Sequence, residues 1–298
     1  MLPIQYSSYI IKILASFYIK IFGIPYFTKQ IELRTLNQGV NSYGAGSRML
    51  DIGCGDGITL LSISKASKAV VGVDIDIKNL IVARELFANS AVQPRAGFVV
   101  SDVSRGLCFK DGIFDRVVSL SVYEHIDNDK IAFQEAWRCM TQHGLFFLIV
   151  PSSKIEQGRS RLLSAAVKLS KLSFLSTIWT PSVIQASSLA GAVELLAAKY
   201  AHARIGYSTA DLYDVATKIG WQVVVVQRTV GYWGQVATDI YNSLDCLQVR
   251  RVDNSYITKN IYLYGIWFIG ARLFDLLDQV LPNDLGHSGG WMVMYRKQ

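Results

Sequence analysis

The chain has 298 residues, 30 Lys+Arg against 23 Asp+Glu, and 51% hydrophobic residues. That much apolar content can bury a core of its own, which excludes a disordered tail, a collagen-like fibre and a small disulfide-stapled module. The charge is uneven: residues 41–150 carry eleven basic and twelve acidic side chains, while 1–40 (four against one) and 151–298 (fifteen against ten) hold the basic excess.

In chain order, residues 10–22 place Ile10, Ile13, Leu14, Phe17 and Ile21 at helical spacing. The stripe reads either as a helix packed on the domain or as one lying on a membrane surface. Lys12 and Lys20 interrupt it, so no uncharged run is long enough to span a bilayer, and the pattern of a secretory signal is missing. Cys54, Cys108, Cys139 and Cys246 form no CxxC pair, which fits a reducing, cytoplasmic setting without a zinc site or disulfide framework.

From Arg48 the pattern alternates. RMLDI reads as a strand, ITLLSISKA as a helix, AVVGVD as a strand, and KNLIVARELFAN as a helix with Leu80, Ala83, Leu86 and Phe87 on one face. GFVVSD and FDRVVSL are strands, DKIAFQEAWRCM a helix, and GLFFLIV a fully apolar strand ending at Pro151. Apolar strands interleaved with amphipathic helices predict a parallel sheet covered on both faces, that is, an open, doubly wound, Rossmann-like α/β fold. The alternation stops at Pro151, with helical stretches expected at 154–175 and 183–199. It resumes with Ser208 as a helix N-cap, a stripe of Leu212, Val215 and Ile219, a stop at Gly220 and the strand WQVVVVQR. After a second interruption, GWMVMYRK closes the sheet. The expected organisation is an N-terminal helical extension over 1–40, then one domain over 41–298 with inserts at about 152–207 and 229–289.

The stretch Asp51-Ile52-Gly53-Cys54-Gly55-Asp56-Gly57 lies between the first strand and its helix. Alternate glycines let the backbone turn sharply and approach a ligand at the carboxyl end of the strand. Ile58 breaks the GxGxxG spacing of a dinucleotide site, and no Lys follows Gly57 as a P-loop requires. Asp51 would repel a pyrophosphate but suits an ammonium. Asp74, ending the second strand, can take both ribose hydroxyls, and Asp102, ending the third, can accept from an adenine amine. Three acids with no clustered base point to S-adenosylmethionine, whose head is cationic and whose sugar bears no phosphate.

LDIGCGDG (50–57), VVGVDID (70–76), SDV (101–103), FDRVVSLSVYEHI (114–126) and GLFFLIVPS (144–152) together resemble the class I S-adenosylmethionine-dependent methyltransferase family. The resemblance implies a seven-stranded sheet with an antiparallel last strand. It also implies that Asp51, Gly53, Cys54, Gly55 and Gly57 hold the methionine part, Asp74 and Ile75 the ribose, Asp102 and Val103 the adenine, and that Ser119, Leu120 and Ser121 line the wall.

Methyl transfer from a sulfonium needs no acid for the leaving group, so catalysis rests on alignment and, for a hydroxyl acceptor, on a base. Two constellations offer one. Tyr123-Glu124-His125 follows the fourth strand, where a Glu-His pair either shapes the pocket or transfers protons. His202-Ala203-Arg204-Ile205-Gly206-Tyr207 resembles a segment of bacterial methyltransferases of surface-glycan or lipid-linked modification. There His202 would be the base, Arg204 the grip on a phosphate or carboxylate, and Tyr207 a ring closing over the cleft; the alternative is a packed loop. SVYE in place of an NPPY tetrapeptide, the absence of a Pro-Cys pair and the absence of recognised binding modules argue against nucleic acid. No clear set of Asp/Asn ligands suggests a metal. The expectation is metal-independent O-methylation of a small-molecule, sugar or lipid-linked acceptor, with carbon or nitrogen methylation and a non-catalytic membrane-surface or partner-binding role as alternatives.

Overall fold

A computed structural model describes residues 27–43, 46–88, 95–153, 206–231 and 289–298, with positions 90, 92, 203, 204, 233, 234, 236, 237, 270, 273, 274, 276, 277, 279 and 280. The expected helices at 10–22, 154–175 and 183–199 lie outside the described residues. The elements are α1 (Phe27–Ser42), β1 (Gly46–Ile52), α2 (Ile58–Ile63), β2 (Ser67–Asp74), α3 (Ile77–Ala88), β3 (Ala96–Val100), β4 (Phe114–Leu120), α4 (Asp129–Cys139), β5 (Met140–Pro151), α5 (Thr209–Ile219), β6 (Trp221–Arg228) and β7 (Gly290–Lys297).

The strands form one seven-stranded sheet in the order β3-β2-β1-β4-β5-β7-β6. β1 to β5 are parallel, and β7 runs antiparallel between β5 and β6. The run Leu145 to Val150 is buried throughout because helices cover both faces of the strand. One face packs Leu36 of α1, Leu60 of α2 and Phe87 of α3 onto Met49, Phe147 and Met294. The other packs Phe133 of α4 and Leu212 of α5 with Tyr123, Phe146, Tyr207, Trp221 and Tyr295. Trp221 stacks on Tyr295 with ring centroids 4.8 Å apart.

Local signals set the boundaries. Ser208 caps α5 through a capping box with Asp211, and Gly220 ends it at φ +90°. On α3, Leu80, Ala83 and Phe87 are buried as expected, whereas Leu86 is 37% exposed because at the helical period it falls to the side of the stripe those three share. Helix α1 begins within the region read as an extension, yet Ile31, Leu36 and Val40 are buried against the sheet. Among the described residues, no helix is long and apolar enough to cross a membrane.

The chain runs outward from β1 to β2 and β3, then returns past β1 to β4. The order therefore reverses between β1 and β4, and in open sheets ligands bind in the crevice outside the carboxyl ends of the strands at that point.

Candidate active site

The turn after β1 is built to let backbone and ligand come close. Gly53, Gly55 and Gly57 adopt φ of +73°, +56° and +80°. The amides of Gly53 and Cys54 both donate to the Val73 carbonyl of β2, at 2.8 and 2.9 Å. A Cβ at Gly53 would lie 2.3 Å from Val122 Cγ2, so a side chain there would push apart the turns leaving β1 and β4. A Cβ at Gly55 would meet nothing within 4 Å, which leaves its backbone facing open space. The Cys54 thiol packs over Gly72 of β2, where a Cβ would lie 2.6 Å from its sulfur, and burial keeps it firmly protonated.

Asp74 ends β2 with its side chain fixed by backbone. The Gly55 amide donates to its Oδ2 at 2.9 Å and the Asp76 amide to its Oδ1 at 2.8 Å. Ile75, next in the chain, is 68% exposed at the mouth of the crevice. Asp102 caps the turn after β3: its Oδ1 accepts from the amide and hydroxyl of Ser104, and its Oδ2 pairs with Arg105 at 3.2 Å. Val103, behind it, is buried.

The opposite wall is the exit of β4. Ser119 is fully buried and donates to the Ile52 carbonyl at 2.8 Å, which ties β4 to the end of β1, and Leu120 is buried beneath it. Ser121 has φ +55°, a strained conformation for a residue with a side chain. Its amide bonds the Ile149 carbonyl, and its hydroxyl donates to Glu32 of α1 at 3.2 Å.

Electrostatically the crevice is acidic. Asp51 is 1% exposed and neither carboxylate oxygen has a partner. Burial pushes its pKa up to about 8, with Asp74 and Asp56 adding repulsion and Lys29 of α1 opposing. Glu124 is 2% exposed with Oε2 unpartnered, and burial likewise pushes it up to about 8, helped by Glu32 and opposed by Lys29. Glu32 is itself raised by burial. Residues of the N-terminal helix therefore complete the site.

The two sequence constellations meet here. The amides of Ala203 and Arg204 donate to the Glu124 carbonyl at 2.8 and 3.1 Å, which docks the second segment on the first. The His125 imidazole lies 3.9 Å from Glu124 Oε1 and is 37% exposed, and His202 lies outside the described residues. Arg204 pairs with Asp129 (3.0 Å) and Asp211 (3.5 Å), its guanidinium 3.9 Å from the Tyr207 ring centroid. Tyr207 is fully buried and donates to Asp129 at 2.7 Å. Two carboxylates thus hold the Arg204 guanidinium, and the Tyr207 ring belongs to the core. Among the described residues, no group of three or more His, Cys, Asp or Glu could hold a metal ion.

An unpartnered buried carboxylate beside an open glycine turn suits a ligand bearing an ammonium. Sequence comparison agrees. A model described as "Methyltransferase domain" matches residues 50–148. The chain is 30% identical over 105 residues to a ubiquinone biosynthesis O-methyltransferase of Glaesserella parasuis, covering 35% of this chain and 44% of that protein. The chain spans less than half the length of the first curated relatives it matches. Among solved structures, geranyl diphosphate C-methyltransferase of Streptomyces coelicolor superposes with a TM-score of 0.53 at 12% identity, over 89% of this chain and 77% of that one. Phosphoethanolamine N-methyltransferase 2 of Haemonchus contortus, in complex with S-adenosyl-L-methionine, gives 0.52 at 16% identity, over 89% and 52%. Residues 50–148 thus match a methyltransferase domain, and the seven-stranded sheet has the fold of these solved methyltransferases.

Proposed function

We propose that this chain transfers a methyl group to an oxygen of a small-molecule acceptor without a metal ion. The observation that carries this reading is the pair of buried, unpartnered carboxylates, Asp51 and Glu124, on the two walls of the crevice where the strand order reverses. When bound, S-adenosylmethionine supplies an electrophilic methyl carbon on a sulfonium whose departing thioether needs no proton.

In this reading Asp51 and the backbone of Gly53, Cys54, Gly55 and Gly57 hold the methionine part of the cofactor. Asp74, prealigned by two amides, holds the ribose beside Ile75. Asp102 and Val103 border the adenine, and Ser119, Leu120 and Ser121 form the wall toward the acceptor. The task left to the chain is to align the acceptor and take its proton, for which the Glu124–His125 pair is one candidate and His202 a second. The ubiquinone biosynthesis O-methyltransferases among the relatives favour oxygen as the acceptor atom. With Arg204 held by two carboxylates, a neutral small acceptor is favoured over a phosphate-linked glycan or lipid. The described cysteines, Cys54, Cys108 and Cys139, are free thiols, which suits a cytoplasmic setting.

Incubating the protein with methyl-labelled cofactor and a panel of phenols, sugars and amines tests the reading. It expects label on an acceptor oxygen. Label found only on nitrogen or carbon would refute O-methylation.

A further inference from the structure

We infer that the end of the sheet opposite the crevice carries a second binding site, a cleft in which Arg116 and Arg296 together take the phosphate of a small phosphomonoester. The cleft measures about 290 Å³ and is lined by Tyr43, Arg116, His143, Leu145 and Arg296. That is the lower end of the roughly 300–1,000 Å³ of small-molecule sites, which suits a phosphate with one small group attached. Arg116 lies near the amino end of β4 and Ser121 just beyond its carboxyl end. At about 3.3 Å per residue the two stand roughly 16 Å apart, so the cleft is separate from the crevice.

Strand register builds its floor. Arg116 pairs with Leu145 of β5, and Leu145 pairs with Arg296 of β7, so the three side chains stand in one row on one face. Strands spaced about 4.8 Å apart put the two arginine backbones roughly 10 Å apart, a span that two long side chains close on one anion. An irregularity in β5 supplies the rim. Between the pairs Phe114 with Met140 and Arg116 with Leu145, β4 advances by Asp115 alone while β5 inserts residues 141–144. The inserted turn is tight, since a Cβ at Gly144 would lie 2.9 Å from the Thr141 carbonyl oxygen and 3.4 Å from that of Asp115. It carries His143, exposed and at φ +63°, to the edge of the cleft.

The charge of this floor is not matched by acids. Arg116 donates to the carbonyls of Asp115 and Tyr43, each at 2.9 Å, which fixes its guanidinium without neutralising it, and its Nε is buried with no partner. Asp115 turns its carboxylate to the Arg48 amide of β1 at 2.8 Å. Among the described residues, neither Arg116 nor Arg296 forms an ion pair, whereas Arg138 and Arg204 are each matched by two carboxylates. Burial pulls the Arg116 pKa down, Asp115 opposes, and the Arg296 charge adds to the lowering. Two like charges facing one cleft are relieved by an anion. A phosphomonoester carries about two negative charges at neutral pH and three acceptor oxygens, which two planar guanidinium forks match; a carboxylate offers one charge and two oxygens. The Tyr43 hydroxyl and the His143 ring add donors at the rim.

Calorimetric titration of the full chain with phenyl phosphate tests the site. Saturable one-to-one binding with Kd below about 1 mM at low salt is expected, weakened by added salt and unchanged by saturating S-adenosylhomocysteine. Benzoate should bind at least about tenfold more weakly. The side chain of Arg296 has no hydrogen-bond or ion-pair partner among the described residues, so Arg296→Gln should leave the fold and S-adenosylhomocysteine binding intact. It should weaken phenyl phosphate at least about tenfold. Arg116→Lys, which keeps the charge and loses the fork, should do the same. The proposal is overturned if phenyl phosphate does not bind, if Arg296→Gln binds it as wild type does, if S-adenosylhomocysteine displaces it, or if the chain binds phosphatidic acid vesicles but not phenyl phosphate. A chain that takes phenyl phosphate in this way but not S-adenosylhomocysteine refutes the methyltransferase reading alone.

Discussion

Replacing Asp51 by Asn should stabilise the protein at alkaline pH and weaken its hold on the cofactor. The folded chain keeps the Asp51 proton up to about pH 8, whereas an ordinary aspartate loses it at 3.8. Because the raised group binds its proton in the folded state where the unfolded chain has released it, stability falls as pH rises between those values. The gap corresponds to an upper bound of about 6 kcal/mol at roughly 1.4 kcal/mol per pH unit. Movement of Lys29 and entry of water as the carboxylate ionises reduce this, and about 2–3 kcal/mol is expected between pH 5.5 and 8.5. Asn has the same shape and no charge, so its unfolding free energy should decline less over that range. A slope of the same sign remains from Glu124. Urea unfolding of both proteins at pH 5.5, 7 and 8.5 measures the gap, which should widen in favour of Asn as pH rises. A gap that stays constant with pH would refute the reasoning, since the carboxylate would then titrate alike in the folded and unfolded chains.

Two further outcomes concern the frame of the site. Gly53→Ala should cost about 2–4 kcal/mol and most of the cofactor affinity, because it combines positive φ with a Cβ 2.3 Å from Val122; thermal unfolding and ligand calorimetry read both effects. Tyr207→Phe should cost about 1–2 kcal/mol by removing the donor to Asp129, with S-adenosylhomocysteine affinity unchanged. A large loss of affinity instead would place Tyr207 on the ligand.

The sheet was legible in the sequence because its signals are local. WQVVVVQR and GWMVMYRK match β6 and β7 residue for residue, the first bounded by Gly220, and Ser208 shows its cap three residues ahead of Asp211. Helix α1 was not legible, because its buried side carries Glu32 and Thr35 among Ile31, Leu36 and Val40, which blurs the apolar stripe. The recurrence of Ile31, Thr35 and Leu36 with Gly39 and Val40 was the available signal. Glu32 is the only acid in residues 1–40, and nothing local to it announces a meeting with Ser121, 89 positions away. Arg204 and Tyr207 stood out by residue type, but their roles depend on Asp129, which a linear reading takes as the polar start of α4.

Isothermal titration of the wild-type chain with S-adenosylhomocysteine tests the central claim most directly, with Asp74→Ala as its control. Saturable one-to-one binding at micromolar ligand is expected, weakened at least tenfold in Asp74→Ala because the carboxylate that aligns Gly55 is gone. No heat at high micromolar ligand, or equal affinity in the two proteins, would contradict it.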